Sequence, residues 1–453
     1  MDSFLTFPAD TSSLSSNERQ VLEKLSGALK KLVALYQEQK NESLPGANFY
    51  PADATREEIQ EAAKTNLSIL DPYTFVRRDE RGGLVAIPYS KVFSRELEEI
   101  VSLLREAADL SEDEHFQHYV RARAEDLLRD NFDASNKLWF DVLNSRIGFN
   151  IGAFDRHHDK LFYRKRAYAG WVGVLHEEEM RRTHSLRAAL LSGTRKYLPG
   201  AKQAQVPKIQ VRIEETAALG GLDADFLFAS NNLPSSADLH LIKEYGTIST
   251  IYLPMIRWRF QNWIRPIYER VFAPSFRTEL SAEDISRGLF LVSLFDEMTR
   301  PNVRYDDAAS RLEECYAYID EAYGDVLAIR SAGYLFLKGL LGEQELKSIV
   351  TAETCNILSY LETARAREYM EAPAVGYAMF LDFFLDGGAL QWTDQGFAID
   401  FQRASLAIDQ LTNVFEYYLA LGTREEAREF LKQVDPQKIM ENLPVSIKRA
   451  LAR

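Results

Sequence analysis

The chain has 453 residues, 46% of them hydrophobic and 27% charged, with a formal net charge of −13. These values describe a globular chain of two or three domains with enough apolar surface for several cores, and they exclude a disordered or collagen-like chain. A broadly acidic surface repels phosphate backbones and no apolar run reaches 18 residues, so neither nucleic acid nor a membrane span is expected.

The first eighteen residues lack a basic segment followed by an apolar core and do not read as a signal peptide. Residues 14–40 place Val21, Leu22, Leu25, Leu29, Leu32 and Leu35 at helical spacing. Thr55 precedes an acidic first turn and is read as a helix N-cap. The stretch 75–90 reads as two short strands about Gly82-Gly83. Helices are expected over 93–109 and 111–130, the second opened by a capping box of Ser111 and Glu114.

From 147 to 255 the pattern turns to strands bounded by Gly, Asn or Pro: 147–155, 168–176, 208–217, 225–230 and 247–254, interrupted by one helix at 176–196. From 256 onward the chain reads as helices at 257–272, 281–299, 303–324, 325–340, 343–366, 373–386, 400–421 and 423–433, with a hairpin inside 387–401. The class is therefore α+β, mostly helical, in two lobes with a cleft between them as the default binding site. One lobe (1–175 and 205–255) carries a small mixed β-barrel or sheet, and the other (176–204 and 256–453) is all-helical. The two cysteines, Cys315 and Cys355, fall in helical segments, so buried thiols in a reducing cytoplasm are expected.

The densest titratable cluster is Asp155, His157, His158 and Asp159. An imidazole titrates near neutrality, and His157 can act as acid or base if a carboxylate orients it; in a strand, 155, 157 and 159 share a face. His176 and His184 lie eight apart, which is not ligand spacing, and His115 and His118 sit on a charged helix face. Residues 257–272 interleave Arg257, Arg259, Arg265 and Arg270 with Trp258, Phe260, Trp263, Tyr268 and Phe272. This reads as an amphipathic helix that can also offer an arginine to a carboxylate or phosphate.

Several segments in a shared order resemble the dipeptidyl peptidase III family, from about residue 50 to about 440. They are LDPYTFVRR (70–78), LVAIPYS (84–90), YVRARAEDLL (119–128), ASNKLWFD (134–141), IGAFDRHHDKLFYRKRAYAGWVGV (151–174), NLPSSADLHLIKEYGT (232–247), RLEECYAYIDEAYG (311–324) and AMFLDFFLDGGALQWTDQGFAIDF (378–401). The resemblance implies a zinc peptidase fold whose zinc helix carries two histidines about one turn apart, with a glutamate between them as general base. The corresponding segment here is 288–304, with Phe295 and Thr299, or Ser293 and Glu297, where histidines are required, and no histidine occurs after His240. The third-ligand helix retains Glu313 and Glu314, so Asp296, Glu297 and Glu314 are relic metal positions. A complete structural zinc site is worth roughly 10–16 kcal/mol, and loss of two imidazoles removes most of it.

By the same resemblance, Asp155 and His157 stand where the family presents a glutamate to the substrate's free amine and a tyrosine. Pro373 and Tyr377 stand where it presents a histidine and a polar residue near the reacting centre. Three functions follow. The first is a diverged protein, without the zinc site or any other cofactor, that binds a peptide-like or small-molecule ligand through Asp155, Asn232, Phe295 and Pro373. The second is a metal-independent acid/base isomerase, lyase or cyclase using Asp155, His157 and Tyr377. The third is a residual hydrolase with a hard, oxygen-loving metal at Asp296, Glu297 and Glu314.

Overall fold

The computed structural model describes residues 3–193, 208–235, 238–299, 305, 307–364 and 372–451. The chain divides into two compact units, one formed by Met1–Met180 with Gln210–Met255 and the other by Arg181–Ile209 with Ile256–Arg453. The class is α+β and mostly helical, with a curled half-barrel sheet.

The first unit is built on one long helix and a sheet. Strand β1 (Phe4–Thr6) precedes helix Ser16–Gln39, which opens with a capping box of Ser15 and Glu18. Val21, Leu22, Leu25, Leu29, Leu32 and Leu35 are all buried, as their 3.6-residue spacing requires. Strands β2 (Thr74–Arg78) and β3 (Leu84–Pro88) form a separate antiparallel hairpin. Thr55 caps its helix, accepting from the Glu58 amide at 3.1 Å.

The main sheet contains β4 (Ile147–Asp155), β5 (Ala167–Leu175), β6 (Ile209–Gly221), β7 (Ser230–Leu233) and β8 (Thr247–Tyr252) in the order β4-β5-β6-β8-β7, with β1 paired to β6. β4 and β5 are buried on both faces over nearly their whole length, which explains their continuous apolar sequence.

Two local expectations in this first unit need correction. The helix expected to start at Ser111 starts at Glu114, because the Asp113 carboxylate accepts from the Phe116 amide at 3.1 Å and Ser111 ends the preceding helix instead. The strand expected over 225–230 is not formed. β6 ends in Gly221 at φ +66°, a short helix (Leu222–Asp225) follows, and Leu227 adopts φ +54°, so the chain turns sharply before β7.

The second unit is a helical assembly. Helix Ala282–Thr299 packs on Glu343–Ala364 and on Tyr316–Leu337, and the latter packs on Ala372–Asp386 and Phe401–Ala420. Gly288 allows the closest approach, since a side chain there would run into the Ser348 carbonyl. The 303–340 stretch is not two abutting helices. A short helix (Ala308–Leu312) and one turn (Glu313–Cys315) precede a single helix Tyr316–Leu337, and the break sits at Glu313, with φ +48°. The expected hairpin forms as β9 (Leu390–Thr393) and β10 (Gly396–Ile399). The helix read over 257–272 is interrupted by a wide π turn, Phe260–Ile264. Both cysteines are buried free thiols. Among the described residues no helix is long and apolar enough to cross a membrane.

Candidate functional site

β4 ends at Asp155, so 155, 157 and 159 do not share a strand face as their alternation suggested. The chain turns, and each residue of the cluster takes a different partner. The His157 backbone amide donates to Asp155 Oδ1 at 2.7 Å, and its ring Nδ1 bonds to the same oxygen. That bond fixes the ring orientation and leaves Nε2 as the second functional nitrogen. The hydrogen bond to Asp155 raises the His157 pKa, burial opposes it, and the Asp155 charge reinforces it. The His157 side chain keeps 56% of its surface exposed.

His158 faces inward. Its Nε2 lies 2.7 Å from the Tyr36 hydroxyl, which itself donates to Asp225 Oδ2 at 2.6 Å. The hydroxyl therefore accepts from an Nε2–H. Burial lowers the His158 pKa. Burial alone would raise Asp225, but hydrogen bonds from Lys40 and Tyr36 outweigh it and keep the carboxylate charged. Asp159 is fully buried and accepts from the amides of Phe162, Arg164 and Lys165 and from the Tyr50 hydroxyl at 2.9–3.2 Å.

The turn after β6 supplies aromatic walls. The Phe226 and Phe228 rings lie 5.6 and 5.5 Å from the His157 ring and 5.7 Å from each other. Phe226 is 41% exposed. Asp223 lies beneath this turn, wholly buried; burial first, then the charge of Asp155, pushes its carboxyl well above the usual range. Its oxygens accept from Asn231 at 3.0 Å and from Tyr252 at 3.4 Å. Asn232 stands on the exposed side of β7, bonded to Ser249. Sequence reading missed Phe226 and Phe228, because DFLFAS alternates like a strand.

The helical unit gathers a second polar centre. Tyr377 packs edge-on against Tyr360 at 5.0 Å. Burial, then Asp325, Glu353, Glu321 and Asp296, raise its hydroxyl well above the usual range. Glu353 is 2% exposed; burial pushes it up to about 7, Asn356 opposes, and Asp296 adds to the rise. Glu353 was overlooked in the sequence, although a single charge inside SIVTAETCNIL was the available signal. Arg259, one of the arginines in the aromatic stretch, lies over the Trp263 ring at 5.4 Å. Burial lowers its pKa to about 10, with Tyr377 opposing.

Phe295 is wholly buried, and Thr299, also buried, donates its hydroxyl to the Phe295 carbonyl at 2.7 Å. Glu314 has other partners. It bonds Arg424 at 3.0 Å and Arg428, which together bring its pKa down to about 2. Pro373 is in helix Ala372–Asp386, but its side chain lies outside the described residues.

No family model matches the chain. Its backbone superposes on dipeptidyl peptidase III from Caldithrix abyssi with a TM-score of 0.88 at 21% identity, covering 100% of this chain and 96% of that one. The chain has the dipeptidyl peptidase III fold. The enzyme from Corallococcus sp. strain EGB gives 0.77 at 21% identity, covering 99% and 96%. Among curated proteins the chain is 22% identical over 409 residues to Nudix hydrolase 3 of Arabidopsis thaliana, covering 82% of this chain. It spans about half (51%) of that relative's length.

The zinc that the resemblance implies needs imidazoles one helical turn apart. Helix Ala282–Thr299 offers Phe295 and Thr299 at that spacing, and the sequence has no histidine beyond His240. Among the described residues no group of three or more His, Cys, Asp or Glu side chains is placed to hold a metal ion. This donor set does not match a zinc site.

Proposed function

We propose that this chain is a catalytically diverged protein of the dipeptidyl peptidase III fold that binds a peptide-like or small-molecule ligand and lacks the zinc peptidase site. The observation that carries the reading is the Asp155–His157 pair walled by Phe226 and Phe228. An oriented imidazole beside exposed aromatic surface is a recognition surface rather than a packing solution, since buried aromatic cores do not leave half an imidazole exposed. Asn232, exposed on β7 and bonded to Ser249, is a further polar candidate of the same unit.

A second reading is supported by the same pair. A histidine fixed through Nδ1 by a carboxylate is arranged for proton transfer at Nε2. Asp155 orients, and His157 accepts or donates the proton. This is metal-independent isomerase, lyase or cyclase chemistry. A residual hydrolase using a non-zinc metal gains least support, because Glu314 is engaged by two arginines.

The test is a thermal-shift screen of peptides and small polar aromatics against wild type, Asp155→Ala and His157→Ala. A compound that stabilises wild type and neither variant supports the site. Stabilisation that survives unchanged in both variants defeats it.

A further inference from the structure

One face of the main sheet carries a run of buried polar atoms without a hydrogen-bond partner among the described residues. Asn150 of β4 is the register partner of Trp171 of β5, so their side chains stand together on that face. Gly173, two residues beyond Trp171, is the partner of Thr216 of β6, and a Cβ there would stand 2.7 Å from Glu214 Oε2. Thr250 lies two residues before Tyr252 on β8, and the Tyr252 ring meets Trp171 at 5.5 Å. Trp139, from the turn Trp139–Val142, closes over Trp171 with ring centroids 6.1 Å apart. Asn150, Trp139, Trp171, Thr216, Thr250 and Glu214 are all wholly buried. Asn150 Nδ2, the two indole nitrogens, the two threonine hydroxyls and Glu214 Oε2 are without partners. The Asn150 amide is oriented, because its Oδ1 accepts from the Ile151 backbone amide at 2.9 Å.

The same face ends at a buried charge. Gly152 follows Asn150 on it, and a Cβ there would touch the Phe154 and Phe132 rings. Those rings lie 5.1 and 5.3 Å from the Arg123 guanidinium, and the Tyr119 ring lies 5.5 Å from it. Arg123 is wholly buried, donates from Nη2 to Asn136 Oδ1 at 2.8 Å, and has no acceptor at Nε or Nη1. Among the described residues it makes no ion pair. Asp126, one turn on along helix Glu114–Arg129, turns to Ser135 instead, and Glu214 pairs with Arg212. Aromatic faces moderate a buried cation, but they supply no counter-charge and leave the in-plane N–H groups unmet.

The indole nitrogens, Asn150 Nδ2 and the free Arg123 nitrogens can only donate. Water accepts from such groups, but each molecule brings two hydrogens of its own into a layer already rich in donors, and the Arg123 charge stays in place. A halide-sized anion accepts from several N–H groups, adds no hydrogen and opposes that charge. We propose that this face binds one small monovalent anion of the chloride class, with Asn150 Nδ2 and the indole nitrogens of Trp139 and Trp171 as donors and Arg123 as the charge it compensates. The proposal goes beyond the ligand surface at His157 and stands or falls without it.

The experiment unfolds the full-length protein thermally at constant ionic strength while chloride or bromide replaces gluconate, an anion too large for a buried site. The expected result is a Tm that rises with halide concentration and saturates. Trp171→Phe, which keeps a ring and removes one donor, should weaken the halide about 2- to 10-fold, the range for one lost hydrogen bond. Arg123→Met should abolish the halide-dependent rise. Wild-type crystals grown in bromide supply a readout that does not depend on any variant folding: an anomalous peak in contact with Asn150 Nδ2 and an indole nitrogen is expected. The proposal is overturned by a Tm indifferent to halide, by the same halide response in both variants as in wild type, or by bromide found only at the protein surface, as an adventitious ion, with water against Asn150.

Discussion

Asp155 Oδ1 accepts from both the backbone amide and the ring Nδ1 of His157. One carboxylate oxygen therefore fixes the position and the orientation of the imidazole two residues on. A histidine whose folded pKa is raised contributes stability that is fully present below its unfolded pKa and is lost as pH rises through the folded one. NMR titration should place His157 above an ordinary histidine, and Asp155→Asn should bring it back down. An unchanged His157 titration in Asp155→Asn would refute the pairing.

Lys165 gives the opposite dependence. It is wholly buried, donating to the Asp71 carbonyl at 2.8 Å and to the Thr74 hydroxyl at 2.6 Å. Burial pulls its pKa from 10.5 down to about 7, with Asp71 and Asp159 opposing. Between those values the unfolded chain binds the proton and the folded one does not, so stability rises with pH. The gain across pH 7–10 should be on the order of a few kcal/mol, read from urea midpoints. In Lys165→Met that slope should flatten; a slope equal to wild type would show that another group causes it.

Arg212 and Glu214 form an ion pair with both side chains fully buried, and Arg212 also donates to the carbonyls of Val142, Leu143 and Ser145. Removing one member leaves an uncompensated charge, so Glu214→Ala should cost about 3–5 kcal/mol. Gly148 faces this carboxylate, and a Cβ there would collide with Glu214. Gly148→Ala should therefore be destabilising through the same pair, and Gly148→Ala combined with Glu214→Ala should cost less than the sum. Strict additivity in denaturation midpoints would separate the two effects and defeat this explanation.

Glu314 should behave as a surface ion-pair partner. Its carboxylate is held by Arg428 and Arg424 and stays charged down to about pH 2. Adding Mg²⁺, Ca²⁺ or Zn²⁺ should change Tm equally in wild type and in Glu314→Gln. A metal-dependent stabilisation lost only in Glu314→Gln would restore the relic-metal reading.

Much of the fold was legible because periodicity survives divergence. Leu25, Leu29 and Leu32 announce the first long helix, and the apolar runs of 147–155 and 168–176 announce buried strands. The turn carrying Phe226 and Phe228 was not legible, because its alternation mimics a strand and only the positive φ of Gly221 and Leu227 breaks it. At the site, the proximity of Asp155 and His157 could be read from their spacing, but the opposite fates of His157 and His158 could not. Tyr36, 122 residues from His158, and Asp225, 189 residues from Tyr36, decide which ring turns inward. Glu353 was hidden for a similar reason, since its environment comes from Asp296 on another helix.

The most direct test of the central claim is the metal content of purified protein measured together with dipeptide release from unblocked peptides. The account predicts no stoichiometric divalent metal and no release that EDTA abolishes and zinc restores. One equivalent of tightly held zinc, with dipeptide release lost on chelation and recovered on its return, would contradict it.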